Sequence, residues 1–142
     1  HNIGLDLVSA DRGCGKTFND ASRDGEFMIP VIFNVELTAP YMHDGRFKTL
    51  DDVLEHYNTK VQRTTNLDWR LLDYSEFPNL NVALATLDTN HNGVLEKNEI
   101  GNRGVQNLHL TSTDKQNIIA FLKTLTDPSI KTDSRFSDPF KL

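Results

Sequence analysis

L-T-A-P-Y-M-H-D-G-R-F-K-T-L-D-D-V-L-E-H-Y-N, residues 37–58, is a turn-rich run that feeds directly into a helix. Thr49 can cap that helix. Asp52 stands three residues on, where its carboxylate answers the cap and meets the positive end of the helix dipole. Leu50, Val53, Leu54 and Tyr57 recur at i, i+3, i+4 and i+7 and so share one face. The pattern predicts a helix over about 50–57 with Tyr57 turned inward, its hydroxyl in need of a partner.

Upstream, residues 31–37 form a short apolar run with β-branched members, too short for pattern alone to separate strand from helix. Residues 1–30 are punctuated by Gly4, Gly13, Gly15, Gly25 and Pro30 and read as irregular. A loop of that length is functional or borrows its order from a ligand. Downstream, residues 59–76 are polar, with Trp69, Leu71 and Leu72 as anchors to a core. A second helix is predicted over about 79–87, with Leu80, Ala83, Leu84 and Leu87 on one face. A polar loop follows, then a short helical stretch up to about Gly104. A last helix begins near Thr111, with Asp114 as its capping-box partner, Ile118, Phe121, Leu122 and Leu125 as its buried stripe, and Pro128 as its stop. The tail, residues 129–142, is expected to lie along the surface. No repeat is present and no stretch alternates long enough for a sheet, so the fold class reads as all-α.

The 142 residues suit a single domain able to bury a core of its own. A net charge of −5 argues against a nucleic-acid footprint. No apolar run approaches the roughly 20 residues that a membrane span needs. The single cysteine, Cys14, can form no internal disulfide and cannot supply the C-x-x-C-H that attaches a c-type haem. Taken alone, it reads as a loop thiol without a role.

Residues 88–99, D-T-N-H-N-G-V-L-E-K-N-E, match a calcium-binding EF-hand loop position by position. Asp88, Asn90 and Asn92 would supply side-chain oxygens, Val94 its carbonyl, Glu96 a contact often made through water, and Glu99 the closing bidentate carboxylate. Gly93 stands where the chain turns sharply, and Leu95 where an apolar side chain pins the loop to a core. A plain Asn-Gly turn would explain Asn92 and Gly93, but not Asp88, Leu95 and Glu99 as well. EF-hands usually pair, and this loop stands alone. Neutral Asn at two ligand positions predicts weak binding, about 10⁻⁵ to 10⁻³ M, and a structural role. The loop would tie an inserted helical hairpin, about 77–108, to the rest of the chain.

T-A-P-Y-M-H-D-G-R-F-K-T-L, together with H-N-I-G-L at residues 1–5 and I-A-F-L-K-T-L-T-D-P at residues 119–128, resembles the C-terminal haem domain of the bacterial di-haem cytochrome c peroxidase family, which includes the MauG-type enzymes. The resemblance covers most of the chain apart from about 70–108. It implies a cytochrome c-like helical domain in which residues 1–30 wrap a haem and are poorly ordered without it. It also implies a periplasmic or otherwise secreted location. In relatives the attaching C-x-x-C-H lies a short way upstream of H-N-x-G-L. The expectation is therefore that the haem-attaching segment and an N-terminal haem domain are missing from this chain.

In the family the distal ligand of this haem lies seventeen residues after the Pro of T-A-P. Here that position is Tyr57, counted from Pro40. It is Met in the classical peroxidases and Tyr in the MauG-type enzymes, so the chain is similar to the tyrosine-ligated branch. A phenolate is a hard anionic ligand that favours ferric and higher oxidation states. Without the resemblance, Tyr57 reads as a core tyrosine closing a helix stripe. Met42, His43 and His56 could also ligate a metal by their chemistry. The resemblance makes His43 a loop-ordering residue beside the haem. His56, about 100° around the helix from Tyr57, is expected to face solvent. His1 lies near the haem in relatives. The resemblance also gives Thr38 and Pro40 backbone carbonyls that hold an interdomain calcium, completed by an Asn of the N-terminal domain that this chain does not contain. Phe33 stands where relatives often have Arg, and Glu36 replaces a small residue.

Two functions follow. The first is the C-terminal part of a periplasmic di-haem peroxidase or MauG-like oxidoreductase. It would have haem c in the intact parent, a companion haem domain or chain and a possible redox partner protein, and this chain alone would show no turnover. The second is a haem-free calcium-binding helical module without catalysis. Neither involves nucleic acid.

Overall fold

The computed structural model describes residues 1–136. In chain order the helices are α1 (Cys14–Phe18), α2 (Leu50–Glu55), α3 (Leu80–Leu87), α4 (Lys97–Ile100) and α5 (Ser112–Thr124). Helix α2 continues without a break into a π-helical turn, His56–Lys60. Short 3₁₀ turns occupy Ala21–Arg23, Val35–Leu37, Trp69–Leu71, Pro128–Lys131 and Ser134–Phe136. Among the described residues there is no strand, only isolated bridges such as Gly13 with Glu26 and Leu72 with Val105. The all-α reading holds. No helix among the described residues is long and apolar enough to cross a membrane. Residues 137–142, the end of the tail expected on the surface, lie outside the described residues.

The chain forms two compact units, His1–Ile29 with Glu55–His109, and Pro30–Leu54 with Leu110–Leu142. The first holds a core of Leu67, Trp69, Leu72, Tyr74, Ala83, Leu95 and Ile100. Trp69 and Leu72 were expected as anchors of a polar stretch, Ala83 from helical spacing and Leu95 from its place in the loop. The predicted second helix is α3, which starts where Asn79 accepts a hydrogen bond from the Val82 N–H at 3.1 Å. Its buried face is Ala83 with Leu84 and Leu87 packed alongside, while Leu80 remains 38% exposed. The N-terminal segment carries more local structure than expected. Helix α1 ends at Asn19 in the left-handed conformation (φ 52°), and the Asp20 side chain caps the next turn through the Ser22 N–H at 2.9 Å.

In the second unit the Thr49–Asp52 cap forms as the sequence indicates. The Asp52 N–H donates to Thr49 Oγ1 at 3.1 Å, and the Thr49 N–H donates to Asp52 Oδ2 at 3.2 Å. Helix α5 has the same reciprocal box between Thr111 and Asp114. It ends at Thr124, before Pro128, which opens the following 3₁₀ turn. Its expected stripe needs correcting, because Phe121 is 59% exposed. At 100° per residue the half-buried positions Lys115, Ile118, Ile119 and Leu122 share an arc of about 100°, and Phe121 lies outside it. The run 31–37 is neither strand nor long helix. It closes as the turn Val35–Leu37, and Val31 and Phe33 are 73% and 67% exposed.

Candidate functional site

The π turn decides what the helix at residues 50–60 presents. A π turn closes i→i+5 hydrogen bonds and shifts the phase of the side chains that follow. His56, expected to face solvent, is instead 2% exposed. The wider turn carries His56 and Asn58 inward together and leaves Tyr57 half-buried between them. The His56 Nε2–H donates to the Ile3 carbonyl at 2.9 Å, since a carbonyl oxygen can only accept. The His56 and Tyr57 rings meet edge to face, with centroids 5.3 Å apart and planes at 69°.

No hydrogen bond to the Tyr57 hydroxyl occurs among the described residues. Burial pushes its phenol above the ordinary value, and the negative charge of Asp68 adds to the effect. Asp68 is itself held. It is paired with the His1 imidazole, it accepts from the Arg70 N–H at 2.9 Å, and Arg70 Nη1 lies 3.3 Å from its Oδ1. Arg70 in turn lies over the Trp69 ring, 4.3 Å from its centroid. A half-buried phenol oxygen with no partner in the described fold is a fitting hard donor for a ferric ion.

Residues 2–5 run along this site and are stitched to it. The Gln62 N–H donates to the Gly4 carbonyl at 2.8 Å, Gln62 Nε2 to the Leu5 carbonyl at 3.0 Å, and the Asp68 N–H to the Asn2 carbonyl at 2.9 Å. Sequence reasoning turned His56 to solvent, which the structure corrects, and passed over Asp68 and this stitching. Only the neighbour relation of His56 to Tyr57 could have drawn attention to them.

The remaining haem-side candidates belong to the second unit and are described there. Met42 sits at positive φ (71°) in a loop closed by the Tyr41–Phe47 bridge, and His43 is exposed. The Tyr41 hydroxyl donates to the Val35 carbonyl at 3.0 Å. Thr38 and Pro40 are exposed, and the Thr38 hydroxyl donates to the Val35 carbonyl at 3.1 Å.

The loop at 88–99 is organised around two carboxylates. Asp88, 7% exposed, accepts from the Asn92 N–H at 3.1 Å and the Gly93 N–H at 2.7 Å. Glu99 accepts from the Glu96 N–H at 3.0 Å and from the Thr89 N–H and hydroxyl at 2.8 and 2.6 Å. Those bonds hold the Glu99 carboxyl below its usual range, the Glu96 amide contributing most. Asn90 and Asn92 are exposed and accept from loop N–H groups, Val94 is 44% exposed, and Asn92 Nδ2 donates to Glu96 at 3.3 Å. Leu95, 3% exposed, pins the loop to the core as its position indicates. Among the described residues no three His, Cys, Asp or Glu side chains converge as a metal cluster. An open cavity of about 520 Å³ lies elsewhere in the first unit, lined by Arg70, Tyr74, Phe77, Leu80, Gln106 and His109 among others. Nothing in the sequence pattern marked it.

No family model matches the chain. The chain is similar to the methylamine utilization protein MauG of Paracoccus denitrificans (strain Pd 1222), with 27% identity over 149 residues, covering 89% of this chain and 33% of that protein. It thus spans about a third of the length of that curated relative. Among solved structures it is similar to a MauG-like protein associated with microbial copper homeostasis, with 28% identity and a TM-score of 0.62, covering 99% of this chain and 38% of the other. These similarities support a relationship to the MauG/cytochrome c peroxidase family and its cytochrome c-like helical fold.

Proposed function

We propose that this chain is the C-terminal part of a di-haem oxidoreductase of the MauG/cytochrome c peroxidase type and carries the distal side of one c-type haem, with Tyr57 as the iron ligand. The observation that carries the reading is the Tyr57 oxygen, half-buried in a π turn and free of hydrogen bonds among the described residues, at the spacing from Pro40 that the family uses. A haem bound there would supply a redox-active iron. Tyr57 would give that iron an anionic oxygen, after losing a proton that its surroundings otherwise retain. Met42 and His43 would lie on the haem side, with His43 ordering its loop. The haem-attaching motif and a second haem domain, or a companion chain, would come from outside this sequence. Thr38 and Pro40 would give carbonyls to a calcium shared with that domain. A redox partner protein and a periplasmic location belong to the same proposal. In the second unit Val31 and Phe33, 73% and 67% exposed, accord with apolar surface that another body covers.

The loop at 88–99 is proposed to bind calcium through Asp88, Asn90, Asn92, the Val94 carbonyl, Glu96 and Glu99, as a structural tie for an inserted hairpin. The hydrogen bond from the Gly93 N–H to the buried Asp88 carboxylate supports that reading. It also gives the second function, a haem-free calcium module, its one specific footing.

The visible absorption spectrum of the full-length protein purified from its native host decides between the two. A Soret band together with covalent haem is the expected result. A flat visible spectrum with calcium bound at micromolar to millimolar concentration overturns the haem reading and leaves the calcium module.

A further inference from the structure

We propose that His56 is a positioning residue for Tyr57: its imidazole ties the π turn to the backbone of Ile3 and braces the Tyr57 ring edge-on, fixing where the phenol oxygen points. The inference rests on the reading of Tyr57 as an iron ligand, and its test separates the two.

Three observations converge on it. His56 is 2% exposed, so its ring is packed on all sides and cannot swing away. Its ring reaches the Ile3 carbonyl at 2.9 Å and meets Tyr57 edge to face, with centroids 5.3 Å apart. And both residues stand in a π turn, a form rarely longer than a single turn and concentrated at functional sites. Such a turn persists when its surroundings over-determine it. Here the surroundings are residues 2–5, held against residues 62 and 68 by the backbone and Gln62 hydrogen bonds described above. His56 reaches from the turn itself to that segment.

If the tether is lost, the turn can relax by one residue toward α-helical register. A one-residue step rotates a side chain by about 100° and moves it about 1.5 Å along the axis. That displacement is far outside the tolerance of a ligand bond, which is about 0.5 Å and 10–20°. The Tyr57 oxygen would then point elsewhere. His56 therefore acts on the iron through Tyr57 and not by touching it.

The test uses the haem-loaded full-length protein and four variants. Tyr57→Phe establishes whether the phenolate-to-iron charge-transfer absorption of the ferric protein belongs to Tyr57. His56→Phe keeps a ring edge against Tyr57 but removes the donor to Ile3. His56→Gln restores an N–H donor at similar reach. His56→Ala removes both contacts. Amide hydrogen exchange at residues 56–60 is read alongside, independently of the haem. The expected result is loss of the band in Tyr57→Phe and in His56→Ala. In His56→Phe the band falls several-fold, and exchange at 56–60 rises about tenfold, the scale of one lost buried hydrogen bond. His56→Gln recovers both readouts. A band that persists in Tyr57→Phe overturns the ligand reading and the positioning role with it. A band lost in Tyr57→Phe but unchanged in His56→Phe and His56→Ala, with unchanged exchange, overturns the positioning role alone. If His56→Phe does not fold, His56→Gln decides: a wild-type band supports the tether, and a lost band with a wild-type exchange pattern refutes it.

Discussion

Gly4 offers the sharpest test of how residues 1–5 are laid against the Tyr57 segment. It has φ +64°, and a Cβ placed on it would stand 2.5 Å from the Gln62 carbonyl oxygen and 2.9 Å from methyl carbons of Leu67 and Val61. The nearest of these atoms is backbone and cannot turn aside. Gly4→Ala therefore incurs two costs. Left-handed backbone with a side chain costs about 1–2 kcal/mol. Forcing an extra carbon into a filled site costs about 1–3 kcal/mol more. The stiffer unfolded chain returns about 0.4–1 kcal/mol. The net is a loss of about 1–5 kcal/mol. Gly93→Ala is the internal control, since Gly93 has φ +77° but nothing within 4 Å of a Cβ, so it bears the backbone cost alone, about 1 kcal/mol. The assay is urea unfolding followed by the fluorescence of Trp69, the only tryptophan, which is 8% exposed in the core of the same unit. With a slope of about 2 kcal/mol per M, Gly4→Ala should lower the midpoint by about 0.5–2.5 M and Gly93→Ala by less. Chelator is present throughout, so calcium does not enter the comparison. Equal shifts for the two variants would refute the close approach of residues 1–5 to residues 61–67.

Leu72, with 0% exposure, is the centre of the first unit's core, and Leu72→Ala should cost about 2–5 kcal/mol in the same assay. Thr111→Ala removes the hydroxyl that accepts from the Asp114 N–H, leaves the backbone N–H that donates to Asp114, and should cost about 1 kcal/mol, read as loss of protection in the amides of residues 112–116. Glu99 predicts an acid response of the loop at 88–99. Its folded carboxyl lies below its ordinary value of 4.5, so its stabilising effect is present above that value and disappears as pH falls through the lowered one. Protection factors of the amides at residues 89–99, taken relative to the intrinsic rate at each pH, should therefore fall in the wild type as pH drops below about 4.5, and Glu99→Gln should flatten that dependence.

What the sequence made legible was local. The Thr49–Asp52 and Thr111–Asp114 boxes, the Asn79 start of α3 and the apolar pin at Leu95 depend on partners a few residues apart, so spacing alone reveals them. What it hid was set by distant contacts. His56 was assigned to solvent because α-helical periodicity has no symbol for a π turn, and the atom that receives its proton is 53 residues away. Burial is the main cause of the raised Tyr57 pKa, and the carboxylate that adds to it is likewise remote, since Asp68 is brought in by a loop with no periodic signature. Phe121 failed for a different reason. An amphipathic arc is broad, and the choice between its two edges belongs to whatever packs against it.

The resonance Raman spectrum of the ferric, haem-loaded full-length protein tests the central claim most directly. The account predicts iron–phenolate vibrations that shift when tyrosine is ring-deuterated and vanish in Tyr57→Phe while the haem remains attached. Vibrations of a histidine- or methionine-ligated iron, identical in wild type and Tyr57→Phe, would contradict it.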